Sequence, residues 1–309
     1  MKMIVSYPDN VLNAGDTAAI TEAARQMFKA GDDKRDAGLP HVLKGVTRHD
    51  DLSYGPDPKW NLLDIYTPTN YTGKLPTIIS SHGGDWCYGT KETYQYFGMT
   101  LAQKGFAFVN FNYHLAPTAT YPEQTLEANK VMHWVAANAE KYDLDLNNVI
   151  LTGDSAGAQI TAQLLVAYTN PKYRQLFNGD ITVPKFNIRA GILNSGSCFV
   201  LTPGMIDPVS SAYFTPEKVA SCKEQLEVEK YMTTALPPLF IQSGSIDMLR
   251  DLDSQLYGYL MAKGIKAVHR VYGTPDEPQD HDFIMDPCHN EVAMQAIDDE
   301  VAFIREYLK

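Results

Sequence analysis

The amino-acid sequence predicts an α/β fold, in which a mostly parallel β-sheet carries helices on both faces. From about residue 60 onward, short β-rich runs alternate with segments whose apolar residues recur at helical spacing. Helical spacing is clearest at 131–139, 252–262 and 292–308. Strand–helix alternation is typical of parallel sheets, because parallel strands need long crossover connections. The predicted strands are Leu62–Tyr66, Thr77–Ser81, Phe106–Tyr113, Val149–Thr152, Arg189–Asn194, Leu239–Ser243 and Ala267–Tyr272.

Two regions fall outside this alternation, and we predict that they form a small cap on a single domain spanning residues 1–309. Residues 1–45 contain one predicted helix, Thr17–Ala30, before the sheet begins. Residues 197–235 interrupt the pattern with several prolines and then a helix-like stretch, Pro216–Met232. Such an insertion is well placed to lie over the carboxyl ends of the strands, where open α/β sheets bind ligands. A peripheral insertion without substrate contact is the alternative.

Composition and charge exclude several function classes. Hydrophobic residues make up 44% of the 309 residues and charged residues 20%, as in an ordinary globular protein with ample core. The formal net charge of −11 disfavours nucleic acid or an anionic membrane surface as the main partner. No window approaches 18 apolar residues, so we expect no membrane span. A small substrate is the expected partner, and a homo-oligomer stays open.

The four cysteines and the N-terminus favour a cytoplasmic protein. The cysteines lack CxxC pairing and regular spacing, so we expect reduced thiols, with no disulfide framework and no zinc site. The first eight residues contain only three consecutive apolar residues, too few for a signal-peptide core. The four cysteines are Cys87, Cys198, Cys222 and Cys288.

The segment Gly153–Gly157, with the sequence GDSAG, is the most informative motif. It follows the apolar run Val149–Leu151 and opens a helix-like stretch. A Gly-x-Ser-x-Gly between a strand and a helix is the pattern of a nucleophile elbow, whose sharp turn projects the serine oxygen above the sheet. The sequence therefore predicts Ser155 as a nucleophile.

A serine hydroxyl is a poor nucleophile at neutral pH and needs a base. In proteins with this elbow the partners follow in the order Ser, then Asp or Glu, then His. Three histidines follow Ser155. His281 lies in a turn-rich loop just after a predicted strand, where its side chain can reach over the sheet. His269 lies within that strand and His289 begins the last helix, so we predict His281 as the base.

The acid of the predicted triad is Asp247. It follows the strand Leu239–Ser243 through a turn of small residues, whereas Asp251 and Asp253 lie farther on in the next helix. Asp207 belongs to the insertion. A carboxylate in this position holds the imidazole in the correct tautomer and stabilises the imidazolium. The alternative for Asp247 is a helix N-terminal carboxylate.

Backbone amides for an oxyanion hole are predicted at two places. Gly83 and Gly84 directly follow the strand Thr77–Ser81, and two glycines in a row let the backbone approach a substrate. The amide of Ala156 begins the helix after the elbow and would add another donor. A flexible turn is the alternative for the glycine pair.

These motifs together resemble the α/β-hydrolase superfamily, most closely its hormone-sensitive-lipase-like carboxylesterases. The resemblance covers about residues 60–308 and implies an α/β-hydrolase fold with an eight-stranded, mostly parallel sheet and hydrolysis of small acyl esters. It carries over Ser155, Asp247 and His281 as the triad, with Gly83, Gly84 and Ala156 as oxyanion donors. The matching segments are His82–Trp86, Asn112–Pro117, Gly153–Gly157, Asp247–Asp251 and His281–Phe283.

Three positions depart from the family pattern. Asp85 replaces the usual third glycine, His114 replaces an arginine, and Asp282 replaces the glycine after the catalytic histidine. If Asp85 faces the pocket, we expect it to disfavour anionic substrates. The His-Gly-Gly-x-Trp run also resembles arylformamidases and small acetyl-xylan or feruloyl esterase-like hydrolases.

The resulting prediction is a serine carboxylesterase that hydrolyses short-chain acyl esters through an acyl-enzyme, without a metal or organic cofactor. An amidase or arylformamidase with the same triad is one alternative. A hydrolase fold retained as a non-catalytic binding module is the other. Of five aromatic residues near the motifs, sequence cannot say which line an acyl pocket and which pack in the core; they are Trp86, Tyr88, Tyr94, Tyr96 and Phe97.

Overall fold

The computed structural model describes residues 4–309 and confirms the predicted α/β architecture. Eight strands form one sheet in the order β1-β2-β4-β3-β5-β6-β7-β8. All neighbouring strands from β4 through β8 run parallel, whereas β2 is antiparallel to both β1 and β4. The strands are β1 Val46–Ser53, β2 Leu62–Pro68, β3 Leu75–Ser81, β4 Ala107–Phe111, β5 Leu144–Asp154, β6 Ile188–Asn194, β7 Leu239–Gly244 and β8 Ala267–Tyr272.

Helices connect the strands and cover both faces of the sheet. Within residues 4–309 the α-helices are α1 Asp9–Leu12, α2 Thr17–Asp36, α3 Gln95–Gln103, α4 Glu123–Asn138, α5 Ser155–Thr169, α6 Pro171–Gln175, α7 Pro216–Ser221, α8 Lys223–Leu226, α9 Arg250–Ala262 and α10 Glu291–Tyr307. Short 3₁₀ turns occur at Lys91–Tyr94, Ser210–Ala212, Val228–Tyr231 and Phe283–Met285. None of the helices formed by this part of the chain combines the length and apolar character needed to cross a lipid bilayer.

The strand that residue patterns did not predict is β1. Its sequence, VTRHDDLS, is mostly polar, and all but its first residue are at least partly exposed. It lies at the edge of the sheet, and its register with β2 shifts between His49 and Leu52. Edge strands tolerate charges and bulges because only one side is paired, so the apolar alternation that reveals a strand is missing here.

The central strands are buried on both faces. Every residue of β4 is buried, and so are all but the partly exposed Pro76 in β3. Side chains on one face pack against α4, α5 and α9, and those on the other face pack against α3 and α10. A strand covered on both sides reads as a continuous apolar run, which is why these strands were predictable from sequence.

Two predicted helices differ in extent. The first, predicted over Thr17–Ala30, continues to Asp36 as α2, and Asp16 caps its start by accepting a hydrogen bond from the amide of Ala19 at 3.0 Å. The second, predicted over Pro216–Met232, is wrong as a continuous helix. It breaks into α7, α8 and a 3₁₀ turn, with non-helical backbone at Cys222 and Glu227.

Candidate active site

The topology gathers the predicted site residues at one edge of the sheet. Strands β3, β5, β7 and β8 are all parallel, so their carboxyl ends face the same way. Gly83 and Gly84 follow β3, Ser155 follows β5, Asp247 follows β7 and His281 follows β8. Loops that lie more than 100 residues apart in the sequence, such as those that carry Ser155 and His281, therefore become neighbours.

Ser155 occupies a sharp turn between β5 and α5. Its φ of +47° is left-handed, a conformation that non-glycine residues seldom adopt and that clusters at functional sites. The turn requires glycine on both sides of the serine. A Cβ on Gly153 would lie 2.3 Å from the carbonyl oxygen of Gly157, and a Cβ on Gly157 would lie 1.9 Å from that of Ser81.

The side chains of Ser155, His281 and Asp247 form a continuous contact chain. Nε2 of His281 lies 3.0 Å from Oγ of Ser155, and Nδ1 lies 3.0 Å from Oδ1 of Asp247. Oδ1 of Asp247 also accepts a hydrogen bond from the amide of Leu249 at 2.7 Å. This is the order of contacts that nucleophile, base and orienting acid require.

The other histidines and acids that follow Ser155 in the sequence lie away from the serine or have other partners. His269 is half-buried on β8 and stacks on Tyr257, while the exposed His289 pairs with Asp286 at 2.7 Å. Asp251 is exposed. Asp253 is buried and accepts a hydrogen bond from the amide of Gly196 at 3.1 Å.

Ionisation of the His281–Asp247 pair is linked. Burial disfavours the Asp247 carboxylate, but the hydrogen bond and charge of His281 outweigh it and hold the pKa of Asp247 below its usual value. Burial likewise disfavours the imidazolium, but the charges of Asp282 and Asp247 outweigh it and raise the pKa of His281 to about 10. The surroundings of the imidazole are thus strongly anionic.

The amide of Gly83, which the sequence predicts as an oxyanion donor, already has a hydrogen-bond partner in this structure. It donates to Oη of Tyr94 at 2.9 Å, and Gly83 is absent from the wall of the cavity that Ser155 lines. Gly84 and Asp85 do line that cavity. Within the described part of the chain, the amides of Gly84, Asp85 and Ala156 have no hydrogen-bond acceptor in loops or side chains.

Tyr94, whose role sequence reasoning missed, connects the two loops. Its hydroxyl accepts from Gly83 and donates to Oδ2 of Asp154 at 2.7 Å. Asp154 is fully buried directly before Ser155, and burial raises its pKa well above the usual value. The loop after β3 and the turn that carries Ser155 are therefore tied together by the hydroxyl of Tyr94.

Asp85 lines the same cavity from the loop after β3. One of its carboxyl oxygens accepts a hydrogen bond from the hydroxyl of Tyr7, which lies in the N-terminal segment. Burial, and then the charge of Asp207, raise the pKa of Asp85 to about 8. Asp207 itself accepts hydrogen bonds from the amides of Val209 and Ser210, so it holds a turn of the insertion.

The cavity above Ser155 has a volume of about 400 Å³. Of the aromatic residues near the motifs, Tyr88 and Tyr94 line it, while Trp86, Tyr96 and Phe97 are buried in the core. The wall combines methionine and aromatic side chains with several acids. The lining residues are Val5, Tyr7, Met27, Phe28, Gly31, Asp32, Arg35, Gly84, Asp85, Tyr88, Tyr94, Ser155, Ser197, Met205, Met248, Leu249, His281, Asp282 and Met285.

His114, another departure from the family pattern, has clear contacts. Nδ1 of His114 lies 2.8 Å from Oε1 of Glu127, and its Nε2 lies 3.4 Å from Asp57, so this histidine is tied to two acids away from the cavity.

Among residues 4–309, no group of three or more His, Cys, Asp or Glu side chains is arranged to hold a metal ion.

Comparison with known proteins gives the chain its family. The BD-FAE family model matches residues 63–254. Carboxylesterase NlhH of Mycobacterium tuberculosis is 28% identical over 84% of this chain and 81% of its own length. Esterase LipQ of the same organism is 31% identical over 43% of this chain and 33% of its own length. The chain spans about a quarter to a third of the length of the relatives that are at least 30% identical to it.

Solved structures agree with the fold. Esterase B from Lactobacillus rhamnosis, solved with a tributyrin phosphonate, superposes with a TM-score of 0.84 at 21% identity and covers 94% of this chain and 95% of its own. The predicted resemblance and the predicted fold are both confirmed. The chain belongs to the BD-FAE family and has the eight-stranded fold of the α/β-hydrolase superfamily.

Proposed function

We propose that the protein is a serine hydrolase of carboxylic esters, with Ser155 as nucleophile, His281 as base and Asp247 as orienting acid. One observation carries the proposal. The contacts from Oγ of Ser155 through the imidazole to Asp247 are each 3.0 Å long and lie at the wall of a cavity. The esterase names of the relatives support the same reaction class.

The reaction proceeds in two steps. In the first, Oγ of Ser155 attacks the ester carbonyl carbon while His281 takes the serine proton and Asp247 steadies the imidazolium. The alcohol then leaves with the proton from His281, which yields an acyl-enzyme. In the second step His281 deprotonates a water, and the attack of that water releases the acid and restores Ser155.

The oxyanion of each tetrahedral intermediate is bound by backbone amides. We propose the amides of Gly84, Asp85 and Ala156 as the donors. The amide of Asp85 takes the place that the sequence assigned to Gly83, because the Gly83 amide donates its hydrogen bond to Tyr94. Preorganised amides in a site closed to water stabilise developing charge without reorganisation, which makes them a large contributor to such reactions.

We propose that the cavity takes a small, mostly apolar acyl group. Its walls carry Phe28, Met27 and Met205, and its volume is about 400 Å³. Val5, Tyr7 and α2 supply one side, and Ser197 and Met205 come from the insertion, so we propose that both predicted cap segments close the site. Asp282, joined by Asp85 above its pKa of about 8, makes the cavity unfavourable for anionic substrates.

The test is hydrolysis of p-nitrophenyl esters of increasing acyl length, from acetyl to palmitoyl, by wild type, Ser155→Ala and Ser254→Ala. Ser254 is an exposed serine of α9, so its replacement controls for mutation as such. We expect a maximum at short chains, a loss of about a million-fold in kcat for Ser155→Ala, and no change for the control.

Three results contradict parts of this proposal. Activity rising from butyryl to palmitoyl esters contradicts the short-chain preference. A larger kcat/KM for a matched formyl-amide identifies an amidase that uses the same triad. Failure of the folded protein to react with a fluorophosphonate probe, together with absent turnover, indicates a non-catalytic binding module.

A further inference from the structure

A second carboxylate contacts the imidazole of His281 on the side where the reaction takes place. Oδ2 of Asp282 lies 3.2 Å from Nε2, the atom that also lies 3.0 Å from Oγ of Ser155. Nδ1 already faces Asp247. Asp282 therefore shares the reacting nitrogen with the nucleophile, a contact that the three-residue scheme does not contain.

The backbone holds Asp282 in this place. Its φ of +53° is left-handed, and its amide donates to Oγ of Ser195 at 3.4 Å. This conformation turns the chain directly after His281, so that two successive side chains point to one point in the site. The Asp282 side chain is 22% exposed and forms part of the cavity wall above Ser155.

The ionisation of Asp282 is linked to that of Asp154, the residue before Ser155. Oδ1 of each residue is buried and has no hydrogen-bond partner within residues 4–309. Burial, and then the charge of Asp282, raise the pKa of Asp154 well above its usual value. One proton held between the two carboxyls would supply the donor that each Oδ1 lacks, because neighbouring buried carboxylates do not both ionise.

Carboxyls on several surrounding elements interact electrostatically with His281. Asp247 comes from the loop after β7, Asp154 from the elbow, Asp85 from the oxyanion loop and Asp253 from α9. Among the described residues that line the cavity, Arg35 is the one arginine or lysine, and its side chain is already paired. The guanidinium of Arg35 lies 2.9 Å from Asp32 and 2.7 Å from Asp36, so it does not neutralise Asp282.

We propose that Asp282, which shares one proton with Asp154, is a second carboxylate partner of His281 that holds the resting imidazole protonated and directs its Nε2–H away from Ser155. The inference rests on the proposed roles of Ser155 and His281. In this state the base is occupied, and Ser155 becomes nucleophilic only after His281 has released the Nε2 proton to solvent.

The ionisation of the pair agrees with this geometry. Burial, opposed by the charge of His281, raises the pKa of Asp282 to about 6, so the pair retains one negative charge at neutral pH. The same charge acts on His281, whose pKa is raised to about 10. Once His281 is neutral, the adjacent carboxylate makes it a stronger base for the serine proton.

The test compares the pH dependence of kcat/KM for p-nitrophenyl acetate in wild type and Asp282→Asn, followed at the isosbestic wavelength of p-nitrophenol. Asparagine tolerates the left-handed backbone and keeps the shape. Removing the negative charge lowers the pKa of His281, so we expect the midpoint of the acid limb to move down by about one to three pH units. An unmoved midpoint overturns the proposal.

Two further variants make the comparison specific. Asp276→Asn removes the same charge from an exposed position of the same loop, and we expect the wild-type midpoint. In Asp154→Asn the new amide donates to Asp282, which keeps its charge, so the midpoint stays at or above that of wild type. Equal downward shifts in Asp154→Asn and Asp282→Asn assign the charge to Asp154 and overturn the role of Asp282.

A second readout does not depend on turnover. The titration of His281 is followed by ¹⁵N NMR of its imidazole in Ser155→Ala protein, with and without Asp282→Asn, after thermal melting has shown that each variant is folded. We expect the same downward shift. If wild type hydrolyses no ester, the proposed function fails, whereas the NMR titration still decides whether Asp282 is paired with His281.

Discussion

Replacement of Tyr94 by phenylalanine removes one oxygen atom and leaves two buried polar groups without a partner. The hydroxyl accepts from the amide of Gly83 at 2.9 Å and donates to Asp154 at 2.7 Å. Tyr94 is 8% exposed and Asp154 is fully buried, so water does not readily replace the lost contacts. The phenyl ring retains its packing beside His82, with centroids 5.7 Å apart.

The expected loss of stability follows from these contacts. A buried donor left unpaired costs about 1–3 kcal/mol, and a hydrogen bond to a neutral carboxyl, such as the protonated Asp154, contributes about 0.5–1.5 kcal/mol. The two effects overlap, because relaxation of the loop satisfies part of the loss. We therefore expect Tyr94→Phe to lower the free energy of unfolding by about 3 kcal/mol.

Urea unfolding measures this change as a shift of the midpoint at constant slope. Tyr96→Phe is the matched control, because the Tyr96 hydroxyl makes only a long, 3.3 Å bond to the carbonyl of Pro40. We expect a loss below about 1 kcal/mol for that control. Equal losses in both variants, or a loss below about 1 kcal/mol for Tyr94→Phe, refute the assignment of Tyr94 as the tie between the two loops.

Three further predictions concern the acid, the cavity wall and the elbow. Asp247→Asn should lower kcat about 10⁴-fold by favouring the wrong imidazole tautomer, whereas the exposed Asp251→Asn should not; near-normal turnover of the first variant would move the acid elsewhere. Asp85 is ionised above its pKa of about 8, so discrimination against a monoanionic ester relative to its neutral methyl ester should strengthen as pH rises through this value. Asp85→Asn should abolish that pH dependence, and its persistence would contradict the role of Asp85. Gly157→Ala brings a Cβ to 1.9 Å from the carbonyl of Ser81 and should cost about 1–3 kcal/mol in thermal or urea unfolding. In Gly258→Ala in α9, the added Cβ meets no atom within 4 Å outside its own stretch of helix, and the change should stabilise by about 0.5–1 kcal/mol. Stability changes of the same sign in both variants would contradict the steric argument.

Local sequence determined the parts of this protein that depend on short-range patterns. The central strands were predictable because burial on both faces demands continuous apolar runs. The elbow was predictable because only glycine fits beside Ser155. The proposed base and acid followed from their positions just after predicted strands, since parallel strands bring such loops to one edge. These constraints act within a few residues, so they appear in the sequence itself.

The tertiary structure decided which groups meet once the chain is folded. Tyr94 takes the Gly83 amide, and Tyr7 reaches Asp85 across 78 positions of the chain. No periodicity or motif encodes these pairs, because each depends on the packing of distant loops rather than on local backbone preference. Local residue patterns place a serine, an acid and a histidine at one edge of the sheet, whereas the charges and hydrogen bonds that tune them arise only from three-dimensional proximity.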